Sequence, residues 1–180
     1  IDLFIETNKN NEKVIKNIPR QINEISNIKI LVMDDHSSDN TAETAKKAGA
    51  DFIFTNQKNL GLGANFKKGI EKALSLGADI IVNIDADNQF NPKDIPNLIK
   101  HLLNEEADLV TCSRFLNPEK TKNMPKLKKF GNKMYAKVLS RITKEKLTDV
   151  SCGFRAYNRK AALYINNHGK FTYTQETLID

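Results

Sequence analysis

Residues 78–92, ADIIVNIDADNQFNP, combine an apolar run of strand length with an acidic end. The run at 80–84 is almost continuously apolar, which is typical of a strand in a parallel sheet whose two faces are both covered by helices. Asp85, Asp87 and Gln89 follow this run, and an Asn-Pro pair then signals the start of a helix. Open sheets of this kind bind ligands beyond the carboxyl ends of their strands, so this end is a candidate binding site.

The three polar residues at this end are candidate metal ligands. Asp85 and Asp87 lie two positions apart in an extended segment, so both carboxylates can reach one ion, and Gln89 adds a neutral oxygen. Hard oxygen ligands suit Mg²⁺ or Mn²⁺, particularly where phosphate oxygens and water complete the coordination shell. The alternative interpretation is a solvated turn after a buried strand.

Length and composition indicate a single domain. The chain has 180 residues, of which 39% are hydrophobic and 28% charged, and such values are typical of a soluble protein with a substantial core. We expect one domain over residues 1–180, incomplete at its C-terminus. No window reaches the roughly 20 apolar residues that cross a bilayer. Cys112 and Cys152 are the only cysteines, and they predict reduced, mostly buried thiols in a cytosolic protein.

Hydrophobic periodicity predicts four further strands and several helices. The strands lie at 2–7, 28–33, 51–55 and 107–114. Helices are predicted at 38–48, 92–105 and 158–165, and another follows the glycine-containing loop at 61–63. A first helix is predicted to begin near Asn17, with Pro19 in its first turn. This alternation of strands and helices predicts an α/β fold with a mostly parallel sheet.

Charged residues also stand at the ends of other predicted strands. Asp35 follows the second strand, where its carboxylate can accept hydrogen bonds from a base or from ribose hydroxyls; alternatively, it supports the turn before a helix capped by Ser38 or Asp39. Arg114 ends the strand at 107–114. A cation at this edge suits a phosphate group, and the alternative is a salt bridge.

The positive charge of the chain is concentrated in one segment. The net charge is +6, whereas residues 118–146 alone carry +8, which favours an anionic partner such as a membrane surface or a phosphate. Apolar residues recur there at helical spacing: Leu127, Phe130, Met134, Val138, Leu139 and Ile142. We expect this amphipathic helix to pack on the core, the alternative being a position in a membrane interface. Lys133, Lys137 and Arg141 lie four apart and form a possible stripe towards anionic headgroups.

Six motifs occur in a fixed order along the chain: VMDDHSSDNT, NLGLGANFKKGI, NIDADNQFNP, SRF, DVSCGFRAYNR and YTQETLID. In order and spacing they resemble glycosyltransferase family 2, and within it the dolichyl-phosphate or polyprenyl-phosphate mannose and glucose synthases. The resemblance runs from about residue 28 to the end of the chain. It implies a GT-A fold, a Rossmann-like, mostly parallel sheet with helices on both faces, which binds a nucleotide-diphosphate sugar together with Mg²⁺ or Mn²⁺.

The resemblance also implies roles for individual residues. The nucleotide-sugar-binding residues would be Thr7, Asp35, Asn65, Asp85 and Asp87. The metal ligands would be Asp85, Asp87 and Gln89. The catalytic residues would be Asp87, Arg114, Arg155 and Glu176. Arg114 would contact the acceptor phosphate and Arg155 the phosphates of donor or acceptor. The acceptor-phosphate and membrane face would consist of Arg114, Lys133, Lys137 and Arg141.

Two positions depart from the pattern of the family. Its first strand usually ends in a proline, an aromatic residue and Asn-Glu, whereas this chain has IETNKNNE at 5–12. The base-stacking contact expected near Asn8 therefore lacks its aromatic residue. His36 stands where glycine is usual. We expect the turn to tolerate this side chain, the alternative being a contact between His36 and the nucleotide.

The predicted function is inverting, metal-dependent transfer of a hexose to a polyprenyl or dolichyl phosphate. The donor would be of the GDP-mannose or UDP-glucose type, and the chain would lie at, or be anchored to, the cytoplasmic membrane face. A metal offsets the charge of the departing diphosphate. A phosphate acceptor is largely dianionic at pH 7 and needs cations, whereas a hydroxyl acceptor needs a general base such as Glu176 or Asp149. The basic segment favours the phosphate.

Three other functions are compatible with parts of the sequence. They are a soluble family 2 transferase acting on a glycan or protein hydroxyl, a nucleotidyltransferase, and a non-catalytic nucleotide-sugar-binding module. A nucleotidyltransferase usually carries a glycine-rich, arginine-containing loop after its first strand, and this chain lacks one. A non-catalytic module need not keep metal ligands, so the presence of Asp85, Asp87 and Gln89 together argues against that function. Nucleic acid is not a predicted partner, because the lysine-rich segment offers only Phe130 and Tyr135 for stacking on bases.

Overall fold

The structure, a computed structural model, describes residues 1–7, 12–85, 89–165 and 173–178, and for Glu6 it describes the backbone alone. The strands within these ranges are β1 (Asp2–Thr7), β2 (Asn27–Asp34), β3 (Phe52–Thr55), β4 (Ile80–Asn83), β5 (Leu109–Thr111) and β6 (Arg155–Asn158). The α-helices are α1 (Glu12–Asn17), α2 (Thr41–Ala48), α3 (Leu62–Ser75), α4 (Ile95–Leu103), α5 (Pro118–Thr121), α6 (Lys126–Thr143) and α7 (Arg159–Tyr164). Short 3₁₀ turns occupy Pro92–Asp94, Arg114–Leu116 and Glu176–Leu178.

The strands form one mixed, mostly parallel sheet in the order β3-β2-β1-β4-β6-β5. β1 pairs in parallel with β2 and β4, and β2 in parallel with β3, whereas β6 runs antiparallel to both β4 and β5. The chain therefore extends the sheet in one direction from β1 to β2 and β3, and later in the other direction to β4. Such a change of direction opens a crevice beyond the carboxyl ends of the strands, here those of β1 and β4.

Apolar side chains of alternate strand residues pack on opposite faces of the sheet. Leu3 and Ile5 of β1 belong to the core cluster shared with α1, α2 and α4. Phe4, between them, belongs to the cluster shared with α3 and α7. Because both faces are covered, every residue of β4 is buried, which explains the continuous apolar run in the sequence. The predicted α/β architecture with helices on both faces is confirmed.

Two predicted elements have different boundaries. α1 ends at Asn17, before Pro19, so the prediction of a helix beginning near Asn17 is wrong. Proline disfavours helical backbone in the residue before it, and the later isoleucines of this segment, Ile22 and Ile25, pack on the core from a loop instead. The strand predicted at 107–114 is shorter, Leu109–Thr111, and Arg114 begins a 3₁₀ turn beyond it.

Helix α6 turns most of its apolar row outward, contrary to the predicted core packing. Leu127 is 82% exposed and Phe130 65% exposed, whereas the residues that α6 buries are Asn132, Ala136 and Leu139. Leu139 and Ala136 pack on Val150 in a small third cluster. We call the exposed row the outer face of α6; its members are Leu127, Phe130, Met134, Val138 and Ile142.

Basic residues run beside the outer face of α6. Lys133, Lys137 and Arg141 are all exposed, and helical geometry places this row next to the apolar one, away from the buried side of the helix. Among the described helices, none combines the length and the hydropathy of a membrane-spanning segment.

Candidate active site

Most of the predicted site residues lie along one edge of the sheet. Thr7 ends β1, Asp35 follows β2 and Asp85 follows β4. β6 runs the opposite way and pairs its first residue, Arg155, with the last residue of β4. The carboxyl end of β5, which leads to Arg114, lies beside Arg155 as well. The shared edge follows from the strand directions. Thr7 itself is fully buried, and its contact with a nucleotide stays a prediction.

Asp35 is held at the tip of β2 by neutral donors. Its Oδ1 accepts hydrogen bonds from the Leu60 backbone N–H at 2.8 Å and from Asn56 Nδ2 at 2.9 Å. Its Oδ2 accepts one from the Gly61 backbone N–H at 2.8 Å. Gly61 has φ of 86°, which glycine adopts without strain. The glycine loop thus directs its N–H groups at Asp35, and the side chain stays half-buried beside a cavity.

Asn56 is a site residue that the sequence prediction missed. It directly follows β3 and is buried, and its Nδ2 also donates to Asn65 Oδ1 at 2.7 Å. Lys68 Nζ donates to Asn56 Oδ1 at 3.1 Å. Asn65 in turn donates to the Met33 carbonyl at 3.2 Å, so this predicted nucleotide-binding residue uses its amide inside the protein. The geometry gives Asn65 a positioning role, and its direct contact with a nucleotide stays a prediction.

The carboxylate of Asp85 lies directly against the backbone of Gly153. A Cβ atom built on Gly153 would lie 2.1 Å from Asp85 Oδ2, far inside contact distance. Only glycine therefore fits beneath this carboxylate. Asp85 also contributes to the electrostatic environment of Arg114, which places an acidic and a basic site residue within reach of each other's field.

Arg114 forms a buried ion pair with Asp149. Its Nε donates to Asp149 Oδ2 at 2.7 Å and its Nη2 donates to Asp149 Oδ1 at 2.9 Å. Nη2 also donates to Ser151 Oγ at 2.7 Å. The salt bridge that was the alternative for Arg114 is therefore present. The third guanidinium nitrogen, Nη1, has no hydrogen bond to the described residues, and 8% of the Arg114 surface stays exposed. Its contact with an acceptor phosphate stays a prediction.

The charges of this pair perturb each other's ionisation. Burial opposes the ionised form of Asp149, but the hydrogen bonds and charge of Arg114, with backbone N–H groups of Arg114 and Ser151, outweigh it and hold the pKa of Asp149 below its ordinary value. The hydrogen bonds that Arg114 donates to Asp149 raise the pKa of Arg114. Asp149 is therefore an anion that stays paired at neutral pH, which makes it a poor general base.

Arg155 is fully buried at the start of β6. Its Nε donates to the Cys152 carbonyl at 2.9 Å, its Nη2 to the Val150 carbonyl at 3.3 Å and its Nη1 to Thr177 Oγ1 at 2.5 Å. All three nitrogens thus bind protein oxygens, and burial disfavours the predicted phosphate contact in this conformation. Arg155 instead ties the 150–152 loop to the turn that carries Glu176.

The segment 173–178 is anchored on the sheet and presents Glu176. Asn83 Nδ2 donates to the Tyr173 hydroxyl at 3.0 Å, and the Tyr173 ring stacks on Phe66 with centroids 3.9 Å apart. Glu176 is half-buried in the 3₁₀ turn that follows. Its catalytic role stays a prediction.

The donor atoms at the β4 end fit a hard metal ion in type. Asp85 and Gln89 offer oxygen ligands, whereas Asp87 lies outside the described residues. Over the ranges that the structure describes, no three His, Cys, Asp or Glu side chains come together as a metal-binding group. Donors that are all oxygen suit Mg²⁺ or Mn²⁺ rather than a thiolate-preferring ion.

The two cysteines take no ionised part in this site. Burial raises the pKa of Cys112 to about 11 and that of Cys152 to about 12. Both are free thiols, Cys152 buried and Cys112 half-buried. These raised pKa values disfavour the thiolate form at neutral pH and argue against a nucleophilic role for either cysteine.

Known proteins share this architecture and its motifs. The profile of Glycosyl transferase family 2 matches residues 5–164. The chain belongs to this family. The resemblance read from the six motifs is thereby confirmed, and the chain is a glycosyltransferase.

Relatives in the family include lipid-phosphate sugar transferases. The UDP-N-acetylglucosamine–dolichyl-phosphate N-acetylglucosaminyltransferase of Methanococcus voltae is 32% identical over 168 residues, covering 84% of this chain and 67% of the relative. The undecaprenyl-phosphate mannosyltransferase of Micrococcus luteus is 30% identical, with 71% and 54% covered. The dolichol-phosphate mannosyltransferase of Pyrococcus furiosus is 32% identical, with 69% and 35% covered. The chain thus spans from 35% to 67% of the lengths of these relatives.

Solved structures confirm the predicted GT-A fold. The glucosyl-3-phosphoglycerate synthase of Mycobacterium tuberculosis, solved with Mn²⁺ and UDP, superimposes with a TM-score of 0.70 at 19% identity. The match covers 99% of this chain and 64% of that one. At this identity the likeness shows the fold alone.

Replacing Gly153 by alanine is expected to displace the Asp85 carboxylate. We expect the Kd for UDP or GDP in the presence of Mn²⁺ to rise about tenfold or more, the order seen when a partner that orients a metal ligand is lost. Isothermal titration calorimetry measures it. Gly131→Ala is the matched control, because a Cβ there meets nothing within 4 Å. Equal binding by both variants would show that Asp85 does not depend on this contact.

Asp149→Asn is expected to lower the free energy of unfolding by about 3 kcal/mol or more, since it leaves a buried guanidinium without its charge partner. Urea unfolding measures this change. The control is Lys160→Gln, which breaks a pair with Asp108 whose side chains are 70% and 53% exposed; such a pair contributes less than about 1 kcal/mol.

The same pair sets a pH dependence. Because the pKa of Asp149 is lower in the folded state than in the unfolded state, its contribution to stability is fully present above the ordinary carboxyl pKa of about 4. It is lost only as the pH falls through the lower folded value. The stability difference between wild type and Asp149→Asn should therefore be constant from about pH 5 to 8 and shrink below about pH 4. A difference that changes near pH 7 would contradict this assignment.

Proposed function

We propose that this chain transfers a hexose from a nucleotide-diphosphate sugar to a polyprenyl phosphate at a membrane surface, with inversion and with Mg²⁺ or Mn²⁺. The observation that carries the proposal is the position of Arg114. Its guanidinium lies within the field of Asp85, and the 148–151 loop that holds it is bonded to α6, whose outer face is apolar and flanked by basic residues. A cation for the acceptor phosphate and a surface for a membrane therefore belong to one structural unit.

The bonds between this loop and α6 are direct. Asn132, one of the few buried residues of α6, donates to the Thr148 carbonyl at 3.0 Å and accepts from the Val150 N–H at 3.2 Å. Ser151 Oγ, which accepts a hydrogen bond from Arg114 Nη2, also donates to Asn132 Oδ1. The loop that holds Arg114 is therefore bonded to the buried side of the same helix whose outer face would lie against the membrane.

The names of the relatives support the same acceptor class. Three of them, from Methanococcus, Micrococcus and Pyrococcus, are named as transferases to dolichyl or undecaprenyl phosphate. In this chain Asp35 would bind the base, and Asp85, Asp87 and Gln89 would hold the metal, which would supply charge stabilisation to the departing diphosphate. Arg114 would orient the acceptor phosphate for in-line attack at the anomeric carbon, and one such displacement inverts its configuration.

A hydroxyl acceptor on a glycan or protein is the second candidate. It would need a general base, and half-buried Glu176 is the observation that favours it. Asp149 is a poor base because Arg114 holds it as a paired anion. The basic residues of α6 and Arg114 favour the phosphate acceptor, which needs cationic positioning instead.

Transfer of labelled hexose from UDP- and GDP-sugars to polyprenyl phosphate is the direct test. We expect product with Mn²⁺ or Mg²⁺ and none with excess EDTA. Arg114→Ala should raise the KM for polyprenyl phosphate by about 10- to 100-fold, the effect of one charge-assisted hydrogen bond, and leave the Kd for the nucleotide unchanged. Arg159→Ala is the control, because the described partners of Arg159 are the backbone carbonyls of Leu74 and Ala78. Transfer to a soluble glycan but not to the lipid would establish the hydroxyl acceptor.

The outer face of α6 is expected to bind membranes. Phe130→Ser should weaken partition into anionic phosphatidylglycerol vesicles by about tenfold or more, since burying one such side chain contributes about 1.5–3 kcal/mol. Leu163→Ser on α7 is the control, with a leucine that is 64% exposed. Changing Lys133, Lys137 and Arg141 to glutamine should weaken binding most at low salt, by about 1 kcal/mol per residue. Vesicle flotation that is equal for all variants would rule out this surface.

A further inference from the structure

The hydrogen-bonding groups and the volume of the cavity beside Asp35 bear on which base the nucleotide-sugar donor contains. Residues 35–39, Asn59, Gly61, Leu62 and Asn65 line this cavity of about 480 Å³. The inference below rests on the proposed function, in which Asp35 binds the base of a nucleotide-diphosphate sugar. It concerns which base the chain selects, and it depends on how many hydrogen bonds Asp35 can still accept.

Within the described part of the chain, three hydrogen bonds leave Asp35 with one acceptor position. An ionised carboxylate offers about four lone-pair positions, two on each oxygen. Oδ1 already accepts two hydrogen bonds, from the Leu60 N–H and from Asn56 Nδ2. Oδ2 accepts one, from the Gly61 N–H. The remaining position on Oδ2 can therefore take a single N–H donor from a ligand.

Uracil and guanine make different demands on such a carboxylate. Uracil presents one imino N–H between two carbonyl oxygens. Guanine presents two adjacent donors, its ring N–H and its exocyclic amino group, and a carboxylate satisfies both only when each oxygen is available. A donor left without an acceptor in a desolvated site weakens binding. The single free position of Asp35 matches uracil.

His36 narrows the same cavity from the neighbouring position. Its backbone is left-handed, with φ of 63°, and its Nδ1 lies 3.2 Å from the Asn56 carbonyl oxygen. A carbonyl oxygen can only accept, so Nδ1 must carry the proton. This hydrogen bond holds the imidazole at the cavity that it lines. Glycine at this position would leave that volume open, and a purine needs more of it than a pyrimidine.

We propose that Asp35 and His36 together select a uracil base over guanine, Asp35 by its single free acceptor position and His36 by the volume of its side chain. His36 is then a specificity-determining residue. The left-handed conformation costs a histidine more than a glycine, so replacing His36 by glycine relieves backbone strain, and the variant is expected to fold.

The test is calorimetric titration of UDP and of GDP into the 180-residue chain with Mn²⁺, for wild type and for His36→Gly. In wild type, UDP should bind about tenfold or more tightly than GDP, the order expected for one hydrogen bond that guanine cannot complete. In His36→Gly the ratio of the two Kd values should fall severalfold, mainly because GDP binds better. His101→Ala, which removes a histidine from the last turn of α4 at the other end of the strands, should keep the wild-type ratio.

Each other outcome has a distinct meaning. Equal binding of UDP and GDP, or tighter binding of GDP, would overturn the inference while leaving the proposed function intact. Tighter GDP binding that is lost in His36→Gly would show that His36 Nε2 serves as the second acceptor for guanine and would overturn the inference. Binding of neither nucleotide by a folded sample would overturn the proposed function, and the inference with it. An unchanged ratio in His36→Gly would remove His36 from the assignment.

Discussion

The ion pair between Arg114 and Asp149 is the interaction on which one half of the site depends. It joins residues 35 positions apart and closes the 149–153 loop onto the end of β5. In this position the backbone of Val150 bonds to two neighbours: its N–H donates to Asn132 of α6, and its carbonyl accepts from the buried Arg155. Gly153, at the end of the same loop, provides the surface for the Asp85 carboxylate. If the pair were broken, the position of each of these groups would change with it.

The fold could be predicted largely from local patterns. Strands with apolar residues on both faces and polar residues at their ends are visible in a single sequence, and parallel pairing then gathers those ends at one edge. The same rule would have identified Asn56, because it directly follows β3. The prediction failed where a local pattern has two solutions. An amphipathic helix has the same sequence pattern whether its apolar row packs on the protein core or faces solvent or a membrane. The pattern of α6 therefore could not show that the helix would bury Asn132, Ala136 and Leu139 and expose most of its apolar row.

The pairing of charged residues could not be predicted, because it depends on which distant segments meet. Arg114 and Arg155 are both arginines near the sheet edge, and nothing in their own surroundings in the sequence distinguishes them. In the structure, Arg155 is fully buried with every guanidinium nitrogen on a protein oxygen, whereas the hydrogen bonds that Arg114 makes with the described residues use only its backbone N–H, Nε and Nη2. The difference arises from the segment 173–178, whose Thr177 covers Arg155. A burial of this kind is a property of tertiary packing, not of a motif.

Asp149 and Asp35 also differ in their partners, although both lie near the same edge of the sheet. Asp149 is paired with a guanidinium, so its charge is neutralised within the protein. Of the residues that the structure describes, those that donate to Asp35 are neutral: the N–H groups of Leu60 and Gly61 and the Asn56 amide. Neutral donors orient a carboxylate without cancelling its charge. Among the described residues, Asp35 therefore keeps an acceptor position to fill, whereas both oxygens of Asp149 are engaged by Arg114. An N–H group of a ligand can therefore bind at Asp35 rather than at Asp149, which supports our proposal that the nucleotide base binds at the tip of β2.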